Sequence, residues 1–291
     1  MHFIKLRKIW YLISLVIIIP GLISLFTNGL NLGIDFTGGN ILEVRFERPV
    51  AVEKVRQVIA GIGIETNRGI QKSSQEGGKV TYLIRTKTLN QEESTKLQKA
   101  LGKLSQMTVL RNEYVGPIIG RELTRNALLA LIGAAILMVI YITIRFEFKQ
   151  GIAAVIAILH DMLVVTGIFS LFQIEIDSTF VAAILTIVGY SINDTIVIFD
   201  RIRENIKTRR KDEDLEDTIN FSLWQTLTRS INTVLTVTFV LVALYFLGGS
   251  TIHTFVLALL IGVISGAYSS ICNASPLWFD LKRLEQKEKL A

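Results

Sequence analysis

The chain has 291 residues, half of them hydrophobic, with 31 Lys and Arg against 25 Asp and Glu, and its mean hydropathy is +0.47. So apolar a composition does not fit an ordinary soluble enzyme. The net charge of +6 does not indicate nucleic-acid binding, because the cations flank apolar stretches instead of forming one basic face. Charged residues avoid several stretches of about 18 to 20 residues, the length of a helix that crosses a bilayer. The composition therefore predicts a polytopic membrane protein.

Six apolar stretches are predicted to cross the membrane as helices. The first, residues 9–27, follows the basic segment Met1 to Lys8. It is longer than the apolar core of a signal peptide, and no small-x-small cleavage site follows it, so we expect it to be retained. The other five spans are predicted at 124–144, 151–172, 179–199, 226–247 and 254–273.

The Lys and Arg residues are concentrated in alternate connections. They occur in the N-terminal segment, between the second and third spans, in the stretch 200–225 and in the tail 274–291, whereas 173–178 and 248–253 contain none. The positive-inside rule therefore predicts that both termini lie in the cytoplasm. Within 200–225, the apolar residue Ile219 and its neighbours at helical spacing indicate either an interfacial helix or a simple extension of the fifth span.

The segment 28–117 between the first two spans is predicted to be a folded extracytoplasmic α+β domain. Residues Leu42 to Phe46 alternate as in a half-buried strand, and apolar residues at helical spacing follow. With a strand near Ile70 and a closing strand from Met107 to Tyr114, the order is β-α-β-β-α-β, which is ferredoxin-like. Gly77-Gly78 is predicted to be the hairpin turn between the middle strands. The chain is thus divided into 1–27 (N-terminus and first span), 28–117 (external domain), 118–273 (spans two to six with the cytoplasmic loop 200–225) and 274–291 (cytoplasmic tail).

A glycine-rich segment, Leu32 to Gly39, directly follows the first span. Asp35, Gly38 and Gly39 predict a tight, defined turn, which we interpret as a rigid structural joint. The segment lacks the Gly-Lys-Ser/Thr signature of a phosphate loop.

An acidic residue, Asp194, lies well inside the fourth span. A charge at that depth costs about 2.5 to 3.5 kcal/mol. Arg229 lies near the start of the fifth span, and counting from the cytoplasmic side places both residues at similar height. We therefore predict that they pair across adjacent antiparallel helices. Such a pair can act as a switch, because removing the guanidinium by a small helix movement would favour protonation of the carboxyl.

Polar and small residues extend this pattern on three helices. They predict a polar seam inside the bundle, either a cation path or a set of hydrogen bonds that only holds helices together. The fourth span contributes Tyr190, Ser191 and Asn193, the fifth contributes Asn232 and Thr233, and the sixth contributes a helix-packing seam of Gly262, Ser265, Gly266 and Ser269.

Two further ionisable residues, His160 and Asp161, lie within the third span. They form either a second protonatable site or a structural hydrogen-bonded pair. Asp161 and Asp194 also suggest an intramembrane aspartyl protease, in which two carboxylates share a proton. The Arg229 cation argues against that alternative, because it would hold Asp194 ionised. No spacing of metal ligands and no nucleotide fingerprint is present, so no cofactor is predicted beyond a transported cation.

Four segments together resemble the SecF family of membrane proteins. They are Leu32 to Gly39, the run Gly116 to Leu123, YSINDTIVIFDRIREN (Tyr190 to Asn205) and QTLTRSINT (Gln225 to Thr233). The resemblance covers essentially the whole chain. It implies one six-helix half of a transporter of the RND superfamily in a bacterial cytoplasmic membrane.

The same resemblance implies the partners and the energy source. SecD would form an obligate heterodimer with the chain, and the SecYEG channel, YajC, the preprotein in transit and membrane lipid would be its other contacts. The proton or sodium motive force would drive preprotein translocation, and Asp194 and Arg229 match family positions on the cation path. The alternative function is half of an RND-type exporter of lipids or small molecules.

Overall fold

The computed structural model describes residues 2–64, 66–76, 79–210, 213–249 and 252–290. The chain divides into two compact units. One consists of Leu32–Leu128, and the other combines the chain up to Asn31 with the chain from Leu129 onward.

The secondary structure is mainly helical. In chain order the elements are α1 (Arg7–Thr27), β1 (Asn31–Leu32), α2 (Ile34–Thr37), β2 (Gly39–Phe46), α3 (Val52–Gly61), β3 (Thr66–Glu76), β4 (Lys79–Thr86), α4 (Gln91–Gly102), β5 (Met107–Val115), α5 (Pro117–Arg145), α6 (Phe148–Leu171), β6 (Glu175–Ile176), α7 (Ser178–Thr208), α8 (Leu215–Leu247), α9 (His253–Ser269), a π-helical turn (Ser270–Ala274) and α10 (Ser275–Leu290).

The six predicted membrane helices are confirmed. Among the described residues, α1, α5, α6, α7, α8 and the continuous stretch from α9 into α10 are long and apolar enough to cross a membrane. Helices α6, α7 and α9 pack against one another and form the centre of the bundle, and α1 packs on α6. Much of the surface of α5 and α8 is exposed in this single chain.

The predicted second span begins too late in the sequence. Helix α5 begins at Pro117 rather than at residue 124. Proline is well suited to the first helical position, because its fixed φ is helical and its missing N–H would have no intrahelical partner there. The helix is polar over its first turns, so a search for apolar residues alone does not include them.

The stretch 200–225 is helical from Leu215 onward, as predicted, and also from residue 201 to Thr208, which was not predicted. Helix α7 continues past Asp200 to Thr208, and α8 begins at Leu215 and runs unbroken into the fifth span, so the extension alternative is correct. The Asn205 side chain donates to Ser222 Oγ at 2.7 Å and to Gln225 Oε1 at 2.8 Å, which joins the two helices. In the predicted turn between them, Lys211 and Asp212 lie outside the described residues.

The predicted tail 274–291 is also helical. Helix α9 passes through the π-helical turn into α10, where Trp278 and Phe279 are buried in the bundle core. Arg7 Nε lies 3.0 Å from Asp280 Oδ1, and Lys282 Nζ lies 2.6 Å from Glu147. The apolar face of this segment and its ion pairs explain why it is held against the bundle.

The α+β unit has the predicted ferredoxin-like order. Strands β3, β4, β2 and β5 form one antiparallel sheet in that order. Ile70 of β3 pairs with Ile84 of β4, and Val44 of β2 pairs with Tyr82. Helices α3 and α4 contribute the rest of the core. The predicted hairpin glycines Gly77 and Gly78 lie outside the described residues. The buried core residues are Leu42, Val44, Phe46, Val55, Ile59, Val80, Tyr82, Ile84, Leu97 and Leu101.

Candidate cation site within the helix bundle

The Asp194 carboxylate lies between α7 and α8 and has one oxygen satisfied. Ser230 Oγ donates to Asp194 Oδ1 at 2.7 Å. Asp194 Oδ2 is buried and has no hydrogen-bond partner among the described residues. A buried oxygen of this kind is costly unless a proton, an ion or another donor occupies it. Asp194 is therefore a carboxylate with one open coordination position.

The predicted contact between Asp194 and Arg229 is wrong for this conformation. Neither residue forms an ion pair within 4.0 Å with any described residue. The height comparison did select the correct turn of α8, because Ser230 directly follows Arg229. Successive residues of an α-helix are separated by about 100° around its axis. Ser230 therefore makes the direct contact with Asp194, and Arg229 beside it is exposed.

The other predicted residues of α8 also face outward. Asn232 and Thr233 are exposed in this chain, as is Asn193 of α7. Thr233 Oγ1 donates to the Arg229 carbonyl at 2.8 Å, and Tyr190 Oη donates to the Thr233 carbonyl at 3.1 Å. The expectation that this stripe lies inside the bundle is thus wrong for the single chain. The stripe is a polar outer face beside Asp194.

Ser191 forms a hydrogen bond with Asp161 and not with Asp194, beside which it was predicted to lie. Although it precedes Asp194 by one turn, its Oγ donates to Asp161 Oδ2 at 2.7 Å. Two serines of the predicted seam on α9 donate to the same group. Ser269 Oγ lies 2.7 Å from Asp161 Oδ2, and Ser265 Oγ lies 2.7 Å from Asp161 Oδ1. The seam and Ser191 therefore enclose Asp161, which is fully buried.

The glycines of the same seam allow this close approach. A Cβ on Gly262 would lie 2.3 Å from the Ile187 side chain, and a Cβ on Gly266 would lie 3.3 Å from Ser191 Cβ. Small residues at such crossings bring helix backbones near each other. The helices α7 and α9 are therefore close enough for short serine side chains to reach Asp161.

The His160 ring links this cluster to α1. His160 Nδ1 lies 3.0 Å from Asp161 Oδ1, and His160 Nε2 lies 3.1 Å from Ser14 Oγ. Ser14 also contacts Asn273, whose Nδ2 donates to Ser14 Oγ at 2.9 Å, and it lies 3.2 Å from Tyr268 Oη. The cluster of Asp161, His160, Ser14, Ser191, Ser265, Ser269, Tyr268 and Asn273 is called the Asp161 network below.

Sequence reasoning missed Ser14, Asn273, Tyr268 and Ser230. A signal for Ser14 was present, because Ser14, Gly21 and Ser24 form a small-residue stripe in an otherwise apolar helix. A Cβ on Gly21 would lie 2.7 Å from the Gly167 backbone, and Ser24 Oγ lies 2.9 Å from Ser170 Oγ. Helices α1 and α6 thus run against each other along matched small residues.

The predicted turn at Asp35, Gly38 and Gly39 contains the short helix α2 and the entry to β2. Gly38 and Gly39 have positive φ angles of 73° and 139°. A Cβ on Gly39 would lie 2.7 Å from the Thr86 carbonyl oxygen. Glycine is required here by both backbone conformation and space.

The carboxylates Asp161 and Asp194 do not form a protease dyad. Asp161 is bound by His160 and serine donors, Asp194 is bound by Ser230, and no hydrogen bond joins the two among the described residues. Two acidic groups that share a proton would have to be in direct contact. The structure therefore does not support the protease hypothesis.

Two family models match the chain. Residues 94–284 match the C-terminal region of the protein export membrane proteins SecD and SecF, and residues 23–50 match the GG motif of SecD and SecF. The second match includes Gly38 and Gly39. Together they cover helices α5 to α9 and the glycine turn described above.

Nearly the whole chain is similar to subunits of the bacterial protein translocase. The protein translocase subunit SecF of Thermobaculum terrenum is 46% identical over 94% of this chain and 92% of its own length. The protein translocase subunit SecDF of Bacillus subtilis is 39% identical, and the match covers 99% of this chain but 39% of that protein.

A solved structure has the same fold. The crystal structure of SecDF, a translocon-associated membrane protein from Thermus thermophilus, superposes with a TM-score of 0.88 at 36% identity, covering 97% of this chain and 39% of that one. These relatives favour protein export over the exporter of lipids or small molecules, and they are transport proteins rather than enzymes. The chain belongs to the SecD/SecF family of protein-export membrane proteins, as a SecF subunit of the Sec protein translocase.

Proposed function

We propose that the chain couples movement of a proton or sodium ion through its bundle to protein export, and that the Asp194 carboxylate carries the ion. The open, buried Oδ2 atom of Asp194 supports this role. Its other oxygen is held by a single serine hydroxyl. A carboxylate bound on one side only can take up a cation without breaking an existing network. Intramembrane carboxylates commonly mark ion paths.

Arg229 is the group that we propose to alternate with Ser230 at Asp194. Both lie on α8 as neighbours, so a rotation of about 100°, the angle per residue, would exchange them. With Ser230 in place, the carboxyl is free to bind a cation. With Arg229 in place, the fixed positive charge would displace that cation. The exchange would convert ion binding into helix movement.

We propose that SecD supplies the second half of this site. The exposed stripe of Arg229, Asn232 and Thr233 supports a protein partner at this face, because polar groups that face lipid are expensive. The B. subtilis and T. thermophilus relatives are named SecDF, and each extends well beyond the part that this chain matches. By the same resemblance, the SecYEG channel, YajC and the emerging preprotein are the proposed further partners.

The proposed location is the bacterial inner membrane with both termini in the cytoplasm. The Lys and Arg residues of the predicted cytoplasmic connections support this orientation. The α+β unit would then lie on the outer side, where an emerging preprotein is accessible.

The substitution Asp194→Asn tests the proposed role. We expect it to abolish cation-driven export while leaving the abundance of the chain and its association with SecD unchanged, because the amide keeps the shape but has neither the negative charge nor the protonatable oxygen of the carboxylate. The matched control is Asp200→Asn on the same helix, where the carboxylate pairs with Arg145 and Arg203 near the surface. Export of a secreted reporter in cells that depend on the variant is the measurement. Normal export by Asp194→Asn at normal abundance would contradict the proposal.

A further inference from the structure

The Asp161 carboxylate has every acceptor position filled. Ser265 Oγ donates to Oδ1, and Ser191 and Ser269 Oγ donate to Oδ2, each at 2.7 Å. His160 Nδ1 lies 3.0 Å from Oδ1. Two oxygens of a carboxylate accept about four hydrogen bonds. A proton on Asp161 would displace one of these donors, so the network suits the ionised form.

The contact with Asp161 fixes which nitrogen of His160 carries a hydrogen. Because Asp161 is an acceptor, Nδ1 must be the donor, which leaves Nε2 as the position that can gain or lose a proton. Nε2 faces Ser14 Oγ at 3.1 Å. His160 and Ser14 are both buried. A proton added to the network is therefore bound at Nε2.

Ser14 can satisfy either protonation state of the ring. When Nε2 is unprotonated, the Ser14 hydroxyl donates to it. When Nε2 is protonated, the N–H donates to Ser14 Oγ, and the hydroxyl turns to Asn273 Oδ1 at 3.3 Å or to Tyr268 Oη at 3.2 Å. Tyr268 accepts in that arrangement because its own O–H donates to the Trp10 carbonyl at 2.6 Å. The Ser14 hydroxyl therefore has a hydrogen-bond partner in either state of the ring.

The charge of the network differs between the two states. With a neutral ring, Asp161 is a buried anion that no other cation compensates among the described hydrogen-bond partners. With an imidazolium, the pair is electrically neutral, which lowers its cost in a medium of low dielectric constant. Other titratable groups on the packed helices include Tyr11 of α1, Tyr190 and Asp194 of α7, and Tyr268 and Cys272 of the last span. Of these, Tyr268 contacts Ser14 of the network. The arrangement thus favours binding of one positive charge.

We propose that His160 Nε2 is a second proton-binding site of the bundle, with Asp161 as its fixed counter-ion and Ser14 as a hydroxyl that adapts to both states. The site is separate from Asp194, whose hydrogen-bond partner is Ser230 of α8. Ser191 contacts Asp161 one turn before Asp194, so the two sites share a helix. The use of this proton in cation-driven export rests on the proposed function. Proton binding at His160 Nε2 does not depend on that function.

The test uses the ring nitrogens directly. The chain has three histidines, His2, His160 and His253, so ¹⁵N-histidine labelling of the full-length protein in lipid gives few signals. The double variant His2→Gln, His253→Gln leaves His160 alone, and loss of a signal in His160→Gln assigns it if that background does not fold. The sample is acidified from about pH 8 to about pH 5, and we expect Nε2 to pass from the unprotonated to the protonated chemical shift.

The counter-ion and the hydroxyl supply the controls. In Asp161→Asn we expect the protonated signal to be lost over the same pH range, whereas in Asp194→Asn it should remain. A signal that stays unprotonated throughout the range, or a transition unchanged in Asp161→Asn, would overturn the proposal. The measurement needs neither SecD nor translocation. Failure of cation-driven export therefore leaves its outcome unaffected, and the two proposals fail independently.

Discussion

Two carboxylates of the bundle differ in how completely their oxygens are bound. Asp161 accepts from three serines and a histidine, whereas Asp194 accepts from Ser230 alone. A fully satisfied buried network holds its helices in one arrangement. A carboxylate with one open oxygen can exchange what it binds. We therefore assign an anchoring role to Asp161 and propose an exchanging role for Asp194.

This difference predicts unequal losses of stability. Asp161→Ala removes the acceptor for four buried donors and should cost about 3 to 5 kcal/mol, as for breaking a buried charged network. Asp194→Ala leaves one serine without its partner and should cost about 1 to 2 kcal/mol. Thermal unfolding of the purified variants in the same detergent shows which variant loses more stability. Equal losses, or a larger loss for Asp194→Ala, would show that the assignment is wrong.

The sequence identified both carboxylates, but not their partners. Depth within a span can be counted along the chain, so the turn of α8 opposite Asp194 was predicted correctly. The rotation of a helix about its axis depends on packing against its neighbours. For that reason Arg229 was predicted in the position that Ser230 occupies, and Ser191 was grouped with Asp194 instead of Asp161.

At the scale of elements, α1 and α6 meet backbone to backbone at a pair of glycines. Gly21 and Gly167 face each other so closely that either added Cβ would lie under 3.0 Å from the opposing Cα. Ser24 and Ser170 bond beyond them, and Ser14 and His160 bond before them. The glycine contact fixes the distance between α1 and α6, and at that distance Ser14 reaches the His160 ring.

Alanine substitutions test this contact. Gly21→Ala and Gly167→Ala should each lower stability by about 1 to 3 kcal/mol, the usual cost of overpacking, because the opposing backbone cannot move like a flexible side chain. The control is Gly133→Ala on α5, where a Cβ meets nothing within 4 Å. Unfolding temperatures of the three variants are compared in one detergent. If Gly21→Ala and Gly167→Ala unfold at the same temperature as Gly133→Ala, the close contact is not present in the protein.

The extent of each element was predicted only where its residues are apolar. The spans and the alternating strands were identified correctly because their burial imposes a period on the sequence. The charged early turns of α5, with Arg121, Glu122 and Arg125, and the end of α7 and start of α8 within 200–225 lack that period. They are helical because caps, ion pairs and contacts such as Asn205 with Ser222 satisfy them, and these contacts are not visible in hydropathy.

At the scale of the whole molecule, the chain has an exposed polar face on membrane helices, where contact with lipid hydrocarbon would be costly. Arg229, Asn232, Thr233 and Asn193 are exposed beside Asp194. The number of helices and the ferredoxin-like order followed from the sequence, because both depend on local patterns. We propose that SecD covers this face of α8, and one sequence carries no signal for a surface on another molecule.

Cation flux through the assembled complex tests the central proposal most directly. The chain and SecD are reconstituted into liposomes, a membrane potential is imposed, and proton or ²²Na⁺ uptake is recorded for wild type, Asp194→Asn and Asp200→Asn. We expect uptake by wild type and Asp200→Asn, and a fall of at least about tenfold for Asp194→Asn, since the amide has lost the negative charge that attracts the ion. Uptake by Asp194→Asn at the wild-type rate would contradict the account.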